Sequence, residues 1–585
     1  MQPLRDELKT TLQQDERLVI DGNLAKNKIV ELALKLDKGL LKLLLGNDRL
    51  KEHFFQDVDD TYVFDKQTFQ KFISNKEFLP DSYTAFKNKI GLSADGENYF
   101  VKSNDVSLIW PYKDCVLEGG QTKEDSKRNE IFWNETLAPD QIDRLLDPKA
   151  FTNFKKFDED GEQDVNDFSI EDNYVIKGNN LLALHSLKKV FAGRVKLIYI
   201  DPPYNTGNDS FGYNDSFNQS TWLTFMKNRL EAAYQLLSND GSIFIQLDYN
   251  QLHYCKILMD EVFGKENFRN EIVWQRTTNT GSSKGMAQKL SNDTDSILYY
   301  TKSKNNLFNK QYKPYSDDYL KRFKYEDKRG KYRWQYMATY SDQKLKELQK
   351  KDMIRWKNKD KNPEYKQYLH ELKGIPLNNL WTDIFHINPM AKENVGFKTQ
   401  KPEKLLARII KIASNEGDLV MDFFMGSATT CSVAHKLNRQ YLGIEQLDYA
   451  EEMSVNRLKD TVTGKDIGTL EEVEWRGGGS FVYGELMEFN AAFVSQIEDA
   501  DSKDALHTIW QRMQENAFLS YKVDPKTINE EKETFDAFSL NEQKQFLVEM
   551  LDKNQLYVNY SEIEDEDYGI SEDGQKQNHQ FYKLK

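Results

Sequence analysis

The sequence predicts an α/β protein built on an open, mostly parallel sheet. Three observations carry this. The apolar run Leu197 to Ile200 is short and stops abruptly at Asp201-Pro202-Pro203-Tyr204, as a strand buried on both faces does. A second such run, Asp418-Leu-Val-Met-Asp422, leads into a glycine turn at Gly426 and then a helix. Around both, apolar strands alternate with segments of helical periodicity, the pattern of parallel strands joined by crossover helices.

Composition bounds the rest. The 585 residues suit roughly three or four domains. A hydrophobic fraction of 39% with 12% aromatics supports a sizeable core. Cys115, Cys255 and Cys431 are too widely spaced for a metal-ligand pattern or a disulfide framework, which fits a reducing compartment. The start, Met1-Gln-Pro-Leu-Arg-Asp-Glu, has no apolar signal region, and no apolar stretch could span a bilayer, so a cytoplasmic protein is expected. The net charge of −14 is unevenly spread. Glu451 to Lys585 holds 29 acids and 14 bases, a net of −15, so the rest sums to about +1. Ser303 to Lys373 holds 20 bases against 10 acids. A local basic patch of this kind, not the total charge, marks nucleic-acid binding.

Taken in order, residues 1 to about 90 read as helical, with Ile29 to Leu36 and Leu40 to Leu45 mixing apolar and charged positions. Leu108 to Gly120 reads as strand and turn, and Glu130 to Glu135 as a helix. The acidic stretch Asp158 to Asp164 reads as a linker. Tyr174 to Lys177 is the first strand of the central domain, Gly178-Asn179-Asn180 a turn, and Leu181 to Leu187 opens a helix. After the pivotal strand come a long helix, Ser220 to Leu237, a turn at Asn239-Asp-Gly241, and a buried strand, Ser242 to Asp248. Asn270 to Trp274 and Asp295 to Thr301 are further strands. Ser303 to about Pro389 is basic, aromatic and poorly periodic. The sheet is expected to resume at Val395 to Glu403, followed by a helix to Ala413, the strand ending at Asp422, a helix from Cys431 to Leu437, and a strand from Arg439 to Glu445. Glu474 to Tyr483 reads as a loop leading into a strand that returns to the central domain.

Two blocks carry chemistry. Ligands of open α/β sheets gather beyond the carboxyl ends of the strands, which puts Asp201 and Tyr204 at a pocket rim. An acid or carbonyl can accept a hydrogen bond from an amino group, prolines stiffen the backbone, and a ring can stack on a base taken out of a duplex. An ordinary turn uses the same residues, so the tetrapeptide alone does not decide. In the second block the strand, glycine turn and helix permit close backbone approach, and an acid at the next strand end can hold ribose hydroxyls. Glu445 follows Gly426 by 19 residues, close to the ~20 of nucleoside-binding fingerprints. The turn has one glycine, with Ala428 where a second could stand, and no phosphate-binding loop occurs in the chain. A nucleoside cofactor without phosphates fits, which points to S-adenosylmethionine. In the basic stretch, Lys321, Arg322, Lys324, Arg329, Lys331 and Arg333 lie among tyrosines and tryptophans, as phosphate-holding residues do.

Together the blocks resemble the β-class DNA amino-methyltransferases, in which the Asp-Pro-Pro-Tyr block precedes the recognition region and the cofactor block follows it. More closely, the chain resembles the modification (Mod) subunit of Type III restriction-modification systems. The matching stretches are Gly178 to Leu184, Asp201 to Gly207, Ser220 to Met226, Thr399 to Glu403 and Asp422 to Gly426, with Pro111 to Gly120 and Asn134 to Pro139 similar to that subunit's N-terminal region. The resemblance covers about residues 100 to 450.

It implies a Rossmann-like S-adenosylmethionine-dependent methyltransferase fold with an inserted target-recognition domain, a helical N-terminal extension and an α+β C-terminal one. The expected divisions are 1–165 for the N-terminal assembly region, 166–302 for the catalytic half, 303–390 for the insertion, 391–455 for the cofactor half and 456–585 for an acidic C-terminal domain. It further implies methyl transfer to N6 of a flipped adenine in double-stranded DNA. Asp201 and the Pro202 carbonyl would accept from the amino group, Pro203 would stiffen the turn, and Tyr204 would stack. Asn179, Lys401, Pro402, Asp422, Phe424, Gly426, Thr429, Thr430 and Glu445 would line the cofactor pocket. Asn179 stands where many relatives carry an acid. Asp at the first position goes with adenine enzymes, and Ser commonly with cytosine-N4 enzymes. The family also implies a homodimer and a separate helicase-nuclease restriction subunit. A cytosine-N4 enzyme, an RNA methyltransferase and a non-enzymatic DNA-specificity subunit are the alternatives.

Overall fold

The computed structural model describes residues 146–205, 219–277, 290–357 and 362–447 without a break, most of 4–66 and 450–584, and short strands between 83 and 134. At its centre is a sheet of eleven strands. In chain order these are β1 (Phe151–Asp158), β2 (Gly161–Asp164), β3 (Tyr174–Lys177), β4 (Val195–Ile200), β5 (Leu237–Leu247), β6 (Phe268–Gln275), β7 (Thr294–Thr301), β8 (Leu380–Trp381), β9 (Leu419–Asp422), β10 (Gln440–Glu445) and β11 (Phe481–Leu486). Across the sheet the order is β2, β1, β11, β3, β10, β9, β4, β5, β7, β6, β8.

The run from β11 to β5 is parallel throughout. β7 is antiparallel to both its neighbours, and β1 to β11. Helices cover both faces. α1 (Asn180–Phe191), α2 (Gln219–Leu236) and α3 (Leu252–Phe263) pack on one with Ile198 and Ile200. α4 (Glu403–Ala413), α5 (Thr429–Lys436) and α6 (Asn456–Val462) pack on the other with Leu197 and Tyr199. Burial on both faces explains why β4 reads as an unbroken apolar run rather than an alternating one. β4 and β9 are neighbours, but the chain leaves β4 toward β5 and leaves β9 toward β10. Their carboxyl ends therefore diverge into a crevice at the topological switch point, where such sheets bind ligands.

Several expectations are corrected. The acidic stretch 158–164 is not a linker: Gly161 turns at φ +116 and β1 and β2 pair as an edge hairpin, which tolerates acids because its outer side is solvated. The central sheet thus begins at Phe151, before the expected boundary at 166. It also takes β11 from beyond the expected boundary at 455, so the segment from Trp475 does lead into a returning strand. The turn expected at 239–241 is absorbed into β5 as an irregularity, pinned by the Lys196–Asp240 ion pair at 2.6 Å. Val395 to Lys401 forms no strand; Gly396 at φ +87 and Pro402 break it, and the sheet instead regains the chain at β8. In the N-terminal region, helices Leu4–Leu12, Lys38–Leu45 and Asp48–Phe54 give way to a hairpin of Phe55–Val58 and Thr61–Phe64. Phe132–Asn134 is a strand paired with Cys115–Leu117, in keeping with the β preference of Phe132 and Trp133. Residues 135–139 and 206–207 of the family-like stretches, and parts of 111–120, lie outside the described residues.

The insertion is a small body of its own. Tyr325–Asp327, Gly330–Tyr336, Glu364–Tyr368 and Ile354–Arg355 form an antiparallel sheet, and helix Asp342–Lys350 packs on it through Leu348. After β11 come α7 (Asn490–Asp499), α8 (Lys503–Asn516), α9 (Leu540–Met550) and α10 (Glu572–Tyr582). Their apolar residues, among them Trp510, Leu547 and Phe581, join the core on the α1 to α3 face. The ring of Phe581 lies 4.9 Å from that of Phe151. No helix among the described residues is long and apolar enough to cross a membrane.

Candidate active site

β4 ends because neither Pro202 nor Pro203 has an N–H to continue the ladder. The turn that follows is held from below. Trp222, fully buried on α2, donates its indole N–H to the Pro203 carbonyl at 2.8 Å. Asp201 sits at the strand end with both carboxylate oxygens engaged. Oδ1 accepts from the Tyr204 phenol at 2.5 Å, and Oδ2 accepts from the Lys401 ammonium. Burial, with Asp201 next, pushes the Tyr204 phenol well above its ordinary range, so it remains a donor. Lys401 also donates to the Thr399 carbonyl at 3.1 Å, and its nitrogen lies 5.6 Å from the centre of the Tyr204 ring.

The neighbouring strand β9 ends in Asp422. Its Oδ1 accepts the Phe424 N–H at 3.0 Å and its Oδ2 the Thr430 hydroxyl at 2.6 Å. Burial pushes this carboxyl up to about 7, opposed by those two hydrogen bonds and reinforced by Asp201 and Glu445. The turn between β9 and α5 carries two left-handed residues, Gly426 at φ +51 and Ala428 at φ +57. Glycine meets the first at little cost, whereas Ala428 is strained. Glu445, at the end of β10, clamps the turn: Oε2 accepts the Gly426 N–H at 2.8 Å, and Oε1 accepts the Gln446 and Leu447 N–H groups at 3.0 and 3.1 Å.

These groups share one cleft with about 590 Å³ of empty volume. Asp201 and Pro203 line it, as do Lys401, Asp422, Phe424, Gly426, Thr429, Thr430 and Glu445. Tyr204 reaches it through its bond to Asp201, and Pro402 starts α4 directly behind Lys401. Asn179 is not in the lining: its side chain caps α1 by accepting the Leu181 N–H at 3.0 Å. Three carboxyl groups, that of Asp422 pushed up to about 7, and one ammonium line the walls, a balance that disfavours phosphates and suits a cation with ribose hydroxyls. The donor set therefore fits a sulfonium nucleoside.

Sequence reasoning missed Tyr199, Phe397 and Thr399, which also line the cleft. It missed a buried polar chain beneath Asp201 as well. The Tyr199 phenol donates to Gln246 at 2.7 Å, Gln246 donates to Asp295 at 3.1 Å, and Asp295 lies 3.1 Å from Arg276. Burial pushes the Asp295 carboxyl up to about 6, with Arg276 and Lys401 opposing. The available signal was a polar side chain inside each of two apolar strand runs, Tyr199 and Gln246.

Residues 195–456 match the family described as DNA methylase, and residues 37–92 match the Type III restriction/modification enzyme methylation subunit. The chain is 36% identical to the "Probable type III restriction-modification enzyme HindVI Mod subunit" of Haemophilus influenzae, across 96% of this chain and 95% of that one. The chain belongs to the Type III Mod subunit family. It is 29% identical to the StyLTI Mod subunit of Salmonella typhimurium over 46% of this chain and 50% of that one. It is 30% identical to the Type II methyltransferase M.EcaI of Enterobacter cloacae over 49% and 69%.

As a Mod-family chain with a methylase domain, it is a DNA methyltransferase. Its basic residues expected at DNA divide into two kinds. Lys321, Arg322, Lys324, Arg329 and Lys331 are exposed on the insertion, Lys321 pairing with Asp318 at 2.8 Å. Arg333 is half-buried and spent within the insertion. It stacks 4.7 Å from the centre of the Tyr319 ring and donates to Gln367 at 2.8 Å.

Proposed function

We propose that this DNA methyltransferase transfers the methyl group of S-adenosylmethionine to N6 of an adenine turned out of double-stranded DNA, with Asp201 and Tyr204 at the acceptor and the turn around Gly426 at the donor. The observation that carries it is the meeting of two ends in one cleft: an amino-accepting carboxylate after β4, and a clamped glycine turn with Asp422 and Glu445 after β9 and β10. Asp422, Phe424, the Gly426 backbone, Thr429 and Thr430 hold the nucleoside and methionine parts. Glu445 takes the ribose, and Lys401 the methionine carboxylate. When bound, S-adenosylmethionine supplies an electrophilic methyl on a cationic sulfur.

The residues of this chain do the remainder by positioning, the larger part of such catalysis. Asp201 accepts one N6 hydrogen and the Pro202 carbonyl the other, which turns the amine's lone pair toward the donor. Tyr204 stacks on the base, offsetting the cost of unstacking it. The proton shed once nitrogen has gained its fourth bond passes to Asp201 and on to solvent. Trp222 keeps the turn rigid while this happens. The exposed bases of the insertion hold phosphates. A separate restriction subunit and a second copy of this chain complete the assembly, on the strength of family membership.

Mass spectrometry of nucleosides from DNA incubated with the purified chain and S-adenosylmethionine tests this, with Asp201→Ala alongside. N6-methyladenine formed only by the unaltered chain is expected. N4-methylcytosine would overturn the base assignment. No modified base, with cofactor binding demonstrated, would overturn double-stranded DNA as a substrate of the chain acting without a partner.

A further inference from the structure

Behind the cofactor cleft lies a buried charge cluster that the transfer chemistry does not use. Glu403, the first residue of α4, is completely buried. Its Oε1 accepts from the Lys436 ammonium at 2.8 Å and from the Arg457 guanidinium at 3.0 Å. Both cationic side chains are 2% exposed. The other arm of Arg457 donates to the Thr429 hydroxyl at 2.8 Å and to the Ser427 carbonyl at 3.3 Å. One planar guanidinium therefore bridges the two walls of the cleft. One wall is the segment from Thr399 to Glu403 that carries Lys401, and the other is the turn from Gly426 to Thr429.

The cluster is poorly explained by stability. Burying three charges costs desolvation that apolar side chains of similar size would avoid. A site-specific purpose fits better, because the turn it grips is strained. Ala428, between the Ser427 and Thr429 that Arg457 grips, sits at φ +57, and such backbone in a residue other than glycine persists only where its surroundings over-determine it. Glu445 and Ser454 hold Gly426 from one side, Ser454 donating to its carbonyl at 2.5 Å. Arg457 also reaches the opposite wall. Its fork geometry matters here, since a lysine ammonium is a point donor and cannot span both partners in a fixed plane.

We propose that Arg457 is a positioning residue for the cofactor, setting the spacing between the Lys401 wall and the Gly426–Thr429 turn through Glu403. This rests on the reading of the cleft as the S-adenosylmethionine pocket. Arg457→Lys in the full chain keeps the charge and loses the bridge. Isothermal titration with S-adenosylmethionine and with its demethylated product should show Kd raised about tenfold for both. The value of kcat at saturating cofactor should stay within about threefold, since Glu403, Ser427 and Thr429, which Arg457 grips, are not themselves part of the amino-accepting end. Lys436→Met removes the other cation from the same carboxylate without touching the turn. It should lower the melting temperature at least as much as Arg457→Lys while leaving Kd within about threefold.

Equal Kd for the unaltered chain and a folded Arg457→Lys overturns the inference, as does a Kd loss in Lys436→Met of the same size as in Arg457→Lys. Should Arg457→Lys fail to fold, Glu403→Gln carries the test with the same expected split and the same refuting result. An unaltered chain that binds no S-adenosylmethionine overturns the underlying pocket assignment instead.

Discussion

Asp422→Asn removes one titrating group from the floor of the cleft and leaves its shape. The amide oxygen can still accept the Phe424 N–H, and the amide nitrogen can donate to Thr430, replacing the two bonds the carboxylate makes. In the folded chain the Asp422 carboxyl is pushed from 3.8 up to about 7, chiefly by burial. In the unfolded chain it titrates at its ordinary value. Between the two the folded state holds a proton that the unfolded state has lost. This contribution to stability is therefore complete below 3.8 and disappears as pH rises through about 7. At about 1.4 kcal/mol for each pH unit, the full span amounts to about 4 kcal/mol. The part within reach of experiment, from about pH 5 to about pH 7, is about 2.5 kcal/mol. Urea unfolding followed by tryptophan fluorescence, which senses the buried Trp222 on α2, can be run on both proteins from about pH 5 to about pH 9. Taking the difference between them cancels the other titrating groups. The unaltered protein should lose that margin relative to Asp422→Asn up to about pH 8 and track it in parallel above. A difference that stays constant over the whole range would mean that Asp422 is already ionised in the fold at the acid end, and the account of its burial would fail.

Four further outcomes follow. Trp222→Phe strips the Pro203 carbonyl of its buried donor; it should cost about 1–3 kcal/mol in stability and lower kcat about tenfold, while calorimetry shows the cofactor Kd unchanged. Gly426→Ala forces a side chain onto backbone at φ +51 and sets its Cβ 3.3 Å from the Phe397 ring. Strain of about 1 kcal/mol should weaken cofactor binding about fivefold by titration. Arg329→Ala and Lys331→Ala, both exposed, should each lower the slope of log affinity for DNA against log salt by about 1 and leave the methylated sequence unchanged. Arg333→Ala, which removes the stack on Tyr319, should instead lower the melting temperature of the insertion.

The sequence announced the site more fully than the frame around it. The end of β4 was legible because two prolines can stop a strand in only one way, and the turn after β9 because a lone glycine between strand and helix marks a close backbone approach. Residues recognised by type, such as Asp201, Lys401 and Glu445, fall in one cleft. What stayed hidden depends on partners distant in the chain. The turn and β2, from Asp158 to Asp164, read as a linker because an edge hairpin can carry acids on its solvated side, and β11 could not be placed between β1 and β3 from local pattern. Tyr199, Gln246, Asp295 and Arg276 are unremarkable singly; only strand adjacency makes them a chain. Arg457 lies 54 positions from Glu403, with no periodicity to link them. Val395 to Glu403, where the sheet is expected to resume, holds no strand, because Gly396 and Pro402 make it the irregular wall of the cleft.

Strand order explains how the inserted body can vary without disturbing the cleft. Asp201 and Lys401 are 200 positions apart, yet their side chains meet. The chain leaves the sheet after β7 and regains it at β8, which pairs with β6 at the outermost edge. Everything between runs from the interior strand β7 to that edge, with its own small sheet and its own core of Met337, Leu348, Met353 and Tyr368. Its base is pinned to α4: Asp383 accepts from Arg408 at 2.5 Å and pairs with Lys313 at 3.0 Å, which together hold its carboxyl down at about 2. The return path is another matter. From the β8 edge it crosses to the mouth of the cleft and delivers Phe397, Thr399 and Lys401 before α4 begins. Substitutions between the stems, roughly 315 to 375, change the surface of the insertion and leave those walls in place. Substitutions from Asp383 to Glu403 act on the cleft itself, because the same short segment that closes the insertion also carries the ammonium held against Asp201.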